Sequence, residues 1–161
     1  MKKIILIITA FIIWILLTWN FNWQSLAAGG VVAIFVGIIF GNLFITDTNK
    51  VLNPVRWFWF VLYIPVFIWE MAKANFDVAY RVIHPKMPIR PGIVKIKTNI
   101  RSEMGKTFLA NSITLTPGTF TVDIKDQYLY IHWINVKHKD LEKASKHIAG
   151  RFEKYLIKIF D

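Results

Sequence analysis

The chain has no cysteine, no acidic residue before Asp47, and only two charged residues, Lys2 and Lys3, in its first 46 positions. The missing cysteines exclude disulfides, thiolate zinc sites and a cysteine nucleophile. The four histidines at 84, 132, 138 and 147 are scattered without ligand spacing. Glu103, Asp123 and Asp126 lack the spacing of a calcium loop. No phosphate-cradling loop is present, because Thr116-Pro117-Gly118-Thr119 is a turn and not GxxxxGK[ST]. These absences leave no metal or cofactor implied. What is present is segregated charge: residues 47–161 carry all 10 acids and the other 18 of the 20 Lys and Arg, within an overall net charge of +10. A membrane anchor followed by a basic polar domain accounts for that division.

Ile4 to Trp19 is apolar apart from Thr9 and Thr18, whose hydroxyls can bond back to helix carbonyls. Leu26 to Ile45 is a second uncharged run of crossing length. A cleaved signal peptide is disfavoured, since bulky Trp19-Asn20-Phe21-Asn22-Trp23 follows the first run and a second begins at once. Gly37-Ile-Ile-Phe-Gly41, extended one turn by Ala33, forms a small face suited to close helix packing in a hairpin or against a partner. Lys2 and Lys3 precede the first span, and Lys50 and Arg56 follow the second, so both ends of the hairpin are expected in the cytoplasm.

Between Trp57 and Trp69 the apolar run is short and holds Pro65; beyond it Glu70, Lys73, Asp77 and Arg81 recur at helical spacing. The pattern predicts an amphipathic helix on the membrane interface, with a third crossing as the alternative. Glu70 is the one acid bordering apolar sequence. It is either an ionisable group at membrane depth or the partner of Lys73 on a wetted face.

Three prolines in 85–91 predict a stiff connector. The rest reads as a strand over Ile93–Thr98 and a helix over Ser102–Leu115 capped by Ser102 or Asn99. A strand over Thr119–Lys125 turns at Asp126-Gln127 into a strand over Tyr128–Asn135, and a helix covers Lys139–Phe160. The expected architecture is thus a membrane α-helical hairpin (1–46), a linker with an interfacial amphipathic helix (47–84), and a small α+β domain of order β-α-β-β-α in the cytoplasm (85–161). A core that small is expected to lean on the helix at 55–83 or on a partner protein. Ser112 or Thr114 could serve as a nucleophile only beside a positioned base, and the nearest histidine in sequence is His132 on a strand. Capping and turn chemistry suit these hydroxyls better, and no catalytic set emerges. Lysines near Tyr128, Tyr130 and Trp133 fit packing and lipid headgroups better than nucleic acid.

The run Asn111-Ser112-Ile113-Thr114-Leu115-Thr116-Pro117-Gly118-Thr119 is followed by Thr121-Val122-Asp123 and by the strand Leu129-Tyr130-Ile131-His132. With the apolar amino terminus and basic carboxyl end, it resembles the E subunit (MrpE/MnhE type) of multisubunit cation/proton antiporters of bacteria. The resemblance spans essentially the whole chain. It implies a small subunit, not catalytic by itself, of a hetero-oligomeric Na+/H+ antiporter in the cell membrane. Its partners would be other hydrophobic subunits and membrane lipid, and its part would be assembly and full antiport activity. The hydroxyl-rich motif, with Asp123, is then expected to be a turn and a docking patch for those subunits. The rival reading of the residues is a stand-alone membrane-anchored domain that binds anionic lipid or polyanions through its basic face.

Overall fold

The structure, a computed structural model, describes residues 2–44 and 53–161. It falls into two compact units, Met1–Asn53 and Pro54–Asp161. The end of the second predicted span at Ile45, and the linker from Asp47 with Lys50, lie outside the described residues.

The first unit is an α-hairpin of α1 (Lys2–Thr18) and α2 (Trp23–Phe44). In α1 the Thr9 hydroxyl donates to the Ile5 carbonyl and the Thr18 hydroxyl to that of Trp14, each at 2.9 Å, so neither hydroxyl faces lipid unpaired. Among the described residues, those that α2 buries are Gly29, Ala33, Gly37 and Gly41, one per turn. At Gly37 an added Cβ would strike the Ile7 side chain, and at Gly41 it would lie 2.8 Å from the Lys3 Cα. The small face therefore meets α1 almost backbone to backbone. The Trp14 indole donates to the Ser25 carbonyl at 3.0 Å and fastens the far end of the pair.

The second unit opens with α3 (Pro54–Ile83), a single helix of 30 residues. The short apolar run expected to be interrupted at Pro65 is in fact continuous. Proline removes one backbone donor, but the turns on either side carry the helix through. At about 45 Å it is long enough, and over part of its length apolar enough, to cross a membrane, as is Trp23–Gly41 of α2.

The remaining elements are β1 (Gly92–Lys97), α4 (Glu103–Thr114), β2 (Thr119–Lys125), β3 (Tyr128–Trp133), α5 (Leu141–Ile148) and α6 (Gly150–Phe160). The sheet is antiparallel in the order β1-β3-β2, with Val94 opposite Ile131 and Thr121 opposite Ile131 from the other side. Register shifts between Thr121 and Asp123, so Val122 is a bulge. Val94, Ile96, Leu129, Ile131 and Trp133 point to one face and form the core with Leu109, Ile113, Ile148, Phe152 and Leu156 of the helices. The opposite face is open, with Lys95 lying 3.8 Å over the Tyr128 ring.

Two sequence boundaries need correction. The helix expected over 139–160 is two helices that meet at Ala149, next to Gly150, the weakest helix former in the stretch. The third strand ends at Trp133, two residues early, because the Ile134 amide turns to the Gly118 carbonyl at 2.8 Å. Elsewhere the local signals match. Ser102 is the cap of α4, its hydroxyl accepting from the Gly105 amide at 3.2 Å. The crossover before it is held by acids of α6 and the carboxyl end: Glu153 accepts from the Thr98 hydroxyl and the Asn99 amide. Asp161 accepts from the Arg101 and Ser102 amides at 3.0 Å each.

The small core does lean on α3. That helix runs antiparallel to α6: Arg56 donates to the Ile159 carbonyl at 2.7 Å, Trp59 meets Tyr155, and Tyr63 meets Phe152. Farther along, Arg81 grips Asp77 through two bonds of 2.9 Å and donates to the Pro88 carbonyl at 2.6 Å, so the proline connector is folded back on α3.

Candidate functional site

The motif at 111–123 is a helix end closed by hydroxyls. An α-helix leaves its last four carbonyls without intrahelical donors. Here the Thr116 hydroxyl donates to the Ser112 carbonyl at 2.7 Å, and the Thr121 hydroxyl adds a bond of 3.1 Å to the Ala110 carbonyl just inside the helix end. The Thr119 hydroxyl donates to Ile113 at 2.7 Å. The Thr114 hydroxyl accepts from the Thr121 amide at 3.2 Å, which ties the helix to the strand that follows it. Gly118 sits at φ +89°, where a side chain would be strained and would crowd Ile134 at 2.9 Å. Val78 of α3 lies on the same turn.

Ser112 is buried and its hydroxyl donates to the Phe108 carbonyl at 2.6 Å, so the Tyr63 hydroxyl from α3 is the donor in their very short mutual bond. A serine held this way faces no base and has no open approach. Thr116 is buried as well, while Asn111, Thr114 and Asp123 are exposed; Asp123 accepts from the Ile124 amide at 2.8 Å beside the bulge. Among the described residues no three His, Asp or Glu come together as a metal cluster would require.

Glu70 departs from both sequence readings in one respect. It pairs with Lys73 at 2.5 Å, but it is buried, and its second oxygen takes Arg151 of α6 at 2.6 Å. A wetted i,i+3 pair is thus replaced by a carboxylate clasped between two cations from different helices. The local partner satisfied the sequence pattern and left no signal for Arg151, 81 positions away.

Around this clasp opens a polar concavity of the second unit. One lobe, of about 480 Å³, is lined by Glu70, Lys73, His138, Lys143, Lys146, His147 and Arg151. A smaller lobe of about 230 Å³ shares Lys73, His147 and Arg151 and reaches Asp77, Arg81, Lys137 and the Thr116-Pro117 turn. Six lysines and arginines face two carboxylates there. The His147 ring lies 5.2 Å from Trp133 and 5.8 Å from His138. Desolvation, then repulsion from Lys137, Arg151 and His138, holds its imidazole below the ordinary value despite a pull from Glu70. These surroundings favour the uncharged form of the ring.

A family model described as Na+/H+ ion antiporter subunit matches residues 7–159. The E subunit of the Na+/H+ antiporter of Alkalihalophilus pseudofirmus is 32% identical over 160 residues, covering 98% of this chain and 97% of that protein. The chain belongs to the family of Na+/H+ antiporter E subunits. The Bacillus subtilis E subunit is 36% identical over 142 residues, with 84% and 87% covered. Among solved structures, a chain of the membrane-bound sulfane sulfur reductase, an archaeal respiratory membrane complex, is similar throughout. It shares 46% identity and a TM-score of 0.88 over 99% of each chain.

Within this member of the family, Asn111 to Thr119 and Thr121 stand together around the end of α4, Asp123 lies farther along β2 beyond the bulge, and Glu70 and Lys73 stand together at the cleft. Gly37 and Gly41 belong to the hairpin unit. Tyr63, Arg81 and Arg151 escaped sequence reasoning. Tyr63 gave a faint signal as a hydroxyl inside an apolar run, whereas the two arginines looked like ordinary members of charged stripes.

Proposed function

We propose that the chain is a non-catalytic membrane subunit of a multisubunit Na+/H+ antiporter, supporting assembly of the complex and monovalent cation and pH homeostasis. The observation that carries this reading is the whole-length similarity to the E subunits of such antiporters. The chemistry agrees with it. The described hairpin helices bear no ionisable side chain beyond Lys2 and Lys3, and the hydroxyls of Ser112, Thr116, Thr119 and Thr121 are spent on backbone carbonyls. Neither a transport path nor a reaction centre is built from the described residues of this chain alone. The exposed members of the motif region, Asn111, Thr114 and Asp123, with Leu115 and Phe120 beside them, offer a docking surface to neighbouring subunits.

The 46% identity to a chain of a respiratory membrane complex favours a second setting, the same supporting role beside a redox enzyme. Affinity purification of this chain from its own membranes in mild detergent separates the two. Several very hydrophobic subunits without reductase activity are expected for the antiporter. Co-purifying sulfane sulfur reduction would move the chain to the second setting, and a lone monomer would remove both.

For topology, we place both termini of the hairpin and the α+β domain in the cytoplasm, with α3 lying along the membrane interface. The Lys and Arg flanks support the orientation. The interfacial reading is supported by α6, which lies along residues 56–70 and brings Lys158 within 3.7 Å of the Trp59 ring. One flank of that stretch is thus covered by protein. The natural absence of cysteine makes single-cysteine labelling clean. A membrane-impermeant maleimide applied to intact cells is expected to label Asn22→Cys and to spare Gln127→Cys; the reverse pattern would invert the topology.

A further inference from the structure

The cationic cleft is not accounted for by subunit assembly or by the fold. Glu70 is already held by Lys73 and Arg151, and Asp77 by Arg81. Lys137, Lys143 and Lys146 line the same space exposed and, among the described residues, without an ion pair within 4 Å. Like charges gathered in a concavity repel one another unless an anion enters. The surroundings indicate which anion. Leu62, Val66, Trp69 and Lys73 follow one another along a single flank of α3, at i, i+4, i+7 and i+11. Leu62 and Trp69 are exposed, Trp69 by 65%, and the apolar flank ends at Lys73 on the rim of the cleft. A tryptophan one turn from a lysine is the pairing found where a protein surface passes from acyl chains to headgroups.

We infer that this cleft holds the phosphate of an anionic membrane lipid. Lys73, Lys143, Lys146 and Arg151 would surround the phosphate, and the acyl chains would pass along the Leu62–Trp69 flank. Basic pockets at the cytoplasmic side of membrane proteins take anionic headgroups for the same electrostatic reason. Arg151 is fixed in place by Glu70 and needs no rearrangement to meet the ligand, while the exposed lysines of α5 close over it. Glu70 then serves as a positioning residue for the site. The inference rests on the membrane placement proposed above.

The test uses the full-length chain in nanodiscs of phosphatidylcholine, with and without phosphatidylglycerol. Incorporation into the phosphatidylcholine discs reports insertion of the hairpin, and the cysteine labelling above reports the side on which the α+β domain lies. Phosphatidylglycerol is expected to raise the thermal midpoint and to remain bound in native mass spectrometry. The double variant Lys143→Gln/Lys146→Gln should keep the wild-type midpoint in phosphatidylcholine, because both side chains are exposed. It should retain the anionic lipid about thirtyfold more weakly. A charge-matched variant on the open sheet face, Lys97→Gln/Lys125→Gln, should retain it as the wild type does. Equal losses in the two variants would mean diffuse surface charge and would overturn the site. So would a midpoint rise reproduced by inorganic phosphate in phosphatidylcholine discs, which would point to a free-phosphate site. Retention of an acidic segment of a partner subunit, with no lipid, would assign the cleft to protein docking instead.

Discussion

Replacing Phe152 with alanine is expected to destabilise the second unit by about 3–5 kcal/mol, the usual effect of emptying a fully buried aromatic site. The side chain is 1% exposed. It meets the edge of Tyr63 with ring centroids 6.3 Å apart and tilts against Phe67 at 6.2 Å, and both partners belong to α3. Phe152 is thus a core residue and also the pin that holds α3 to the terminal helix. Its loss removes packing from both, and neighbours fixed by the sheet on one side and the long helix on the other have little freedom to collapse into the gap. Domain stability is typically only about 5–15 kcal/mol, so a large share would be lost. Thermal unfolding in mild detergent is the measurement, with a midpoint fall of more than about 10 °C expected. Phe120→Ala serves as the reference: its side chain is 55% exposed, and the expected change is within about 0.5 kcal/mol. Similar falls for the two variants would show that α3 is held by something other than this aromatic cluster.

The cluster also shows what a sequence conveys and what it withholds. Features set by neighbours within a few positions were legible: the Ser102 cap, the Thr116-Pro117-Gly118 turn and the extent of the strand Thr119–Lys125, though not the bulge at Val122 that breaks its alternation. Each depends on a dihedral, a missing donor or a period of two, all written locally. The small face of α2 was legible for a similar reason, although Gly29 as its first step became visible only with α1 beside it. The bonds that organise the candidate site are of another kind. Glu70 reaches Arg151, and Tyr63 reaches Ser112 across 49 positions, and nothing near either residue specifies its partner. Pro65 and Gly150 carried misleading local signals. Proline reads as a break, yet α3 continues through it because packing on one side fixes the turns around it; glycine reads as tolerable within a helix, yet the helix divides beside it. Tertiary context decided both. The division sets Arg151 and Phe152 at the start of α6, one facing Glu70 and the other the aromatic pin.

Leucine at Gly37 or Gly41 is expected to open the amino-terminal hairpin, while leucine at Gly30 is expected to do little. The three glycines share a helix and nearly the same composition around them, so propensity and hydrophobicity change alike. Their surroundings differ. Nothing lies within 4 Å of a Cβ added at Gly30. At Gly37 the new carbon meets Ile7 and comes within 3.1 Å of the Lys3 carbonyl oxygen; at Gly41 it meets the Lys3 Cα at 2.8 Å. A side-chain tip can swing aside, but a backbone atom moves only if the whole helix does, so Gly41→Leu should be the more severe. Overpacking costs about 1–3 kcal/mol per site. In lipid, close packing is a main source of helix association, because no hydrophobic gain separates helix contact from lipid contact. Each 1.4 kcal/mol or so lowers the paired fraction about tenfold. The amount of variant chain recovered in the assembled complex, read on a native gel, should therefore fall steeply for Gly41→Leu, clearly for Gly37→Leu and scarcely for Gly30→Leu. If Gly30→Leu were as damaging as Gly41→Leu, the glycines of α2 would be needed for a neighbouring subunit as much as for α1. The close approach inside the hairpin would then not be what selects small residues there.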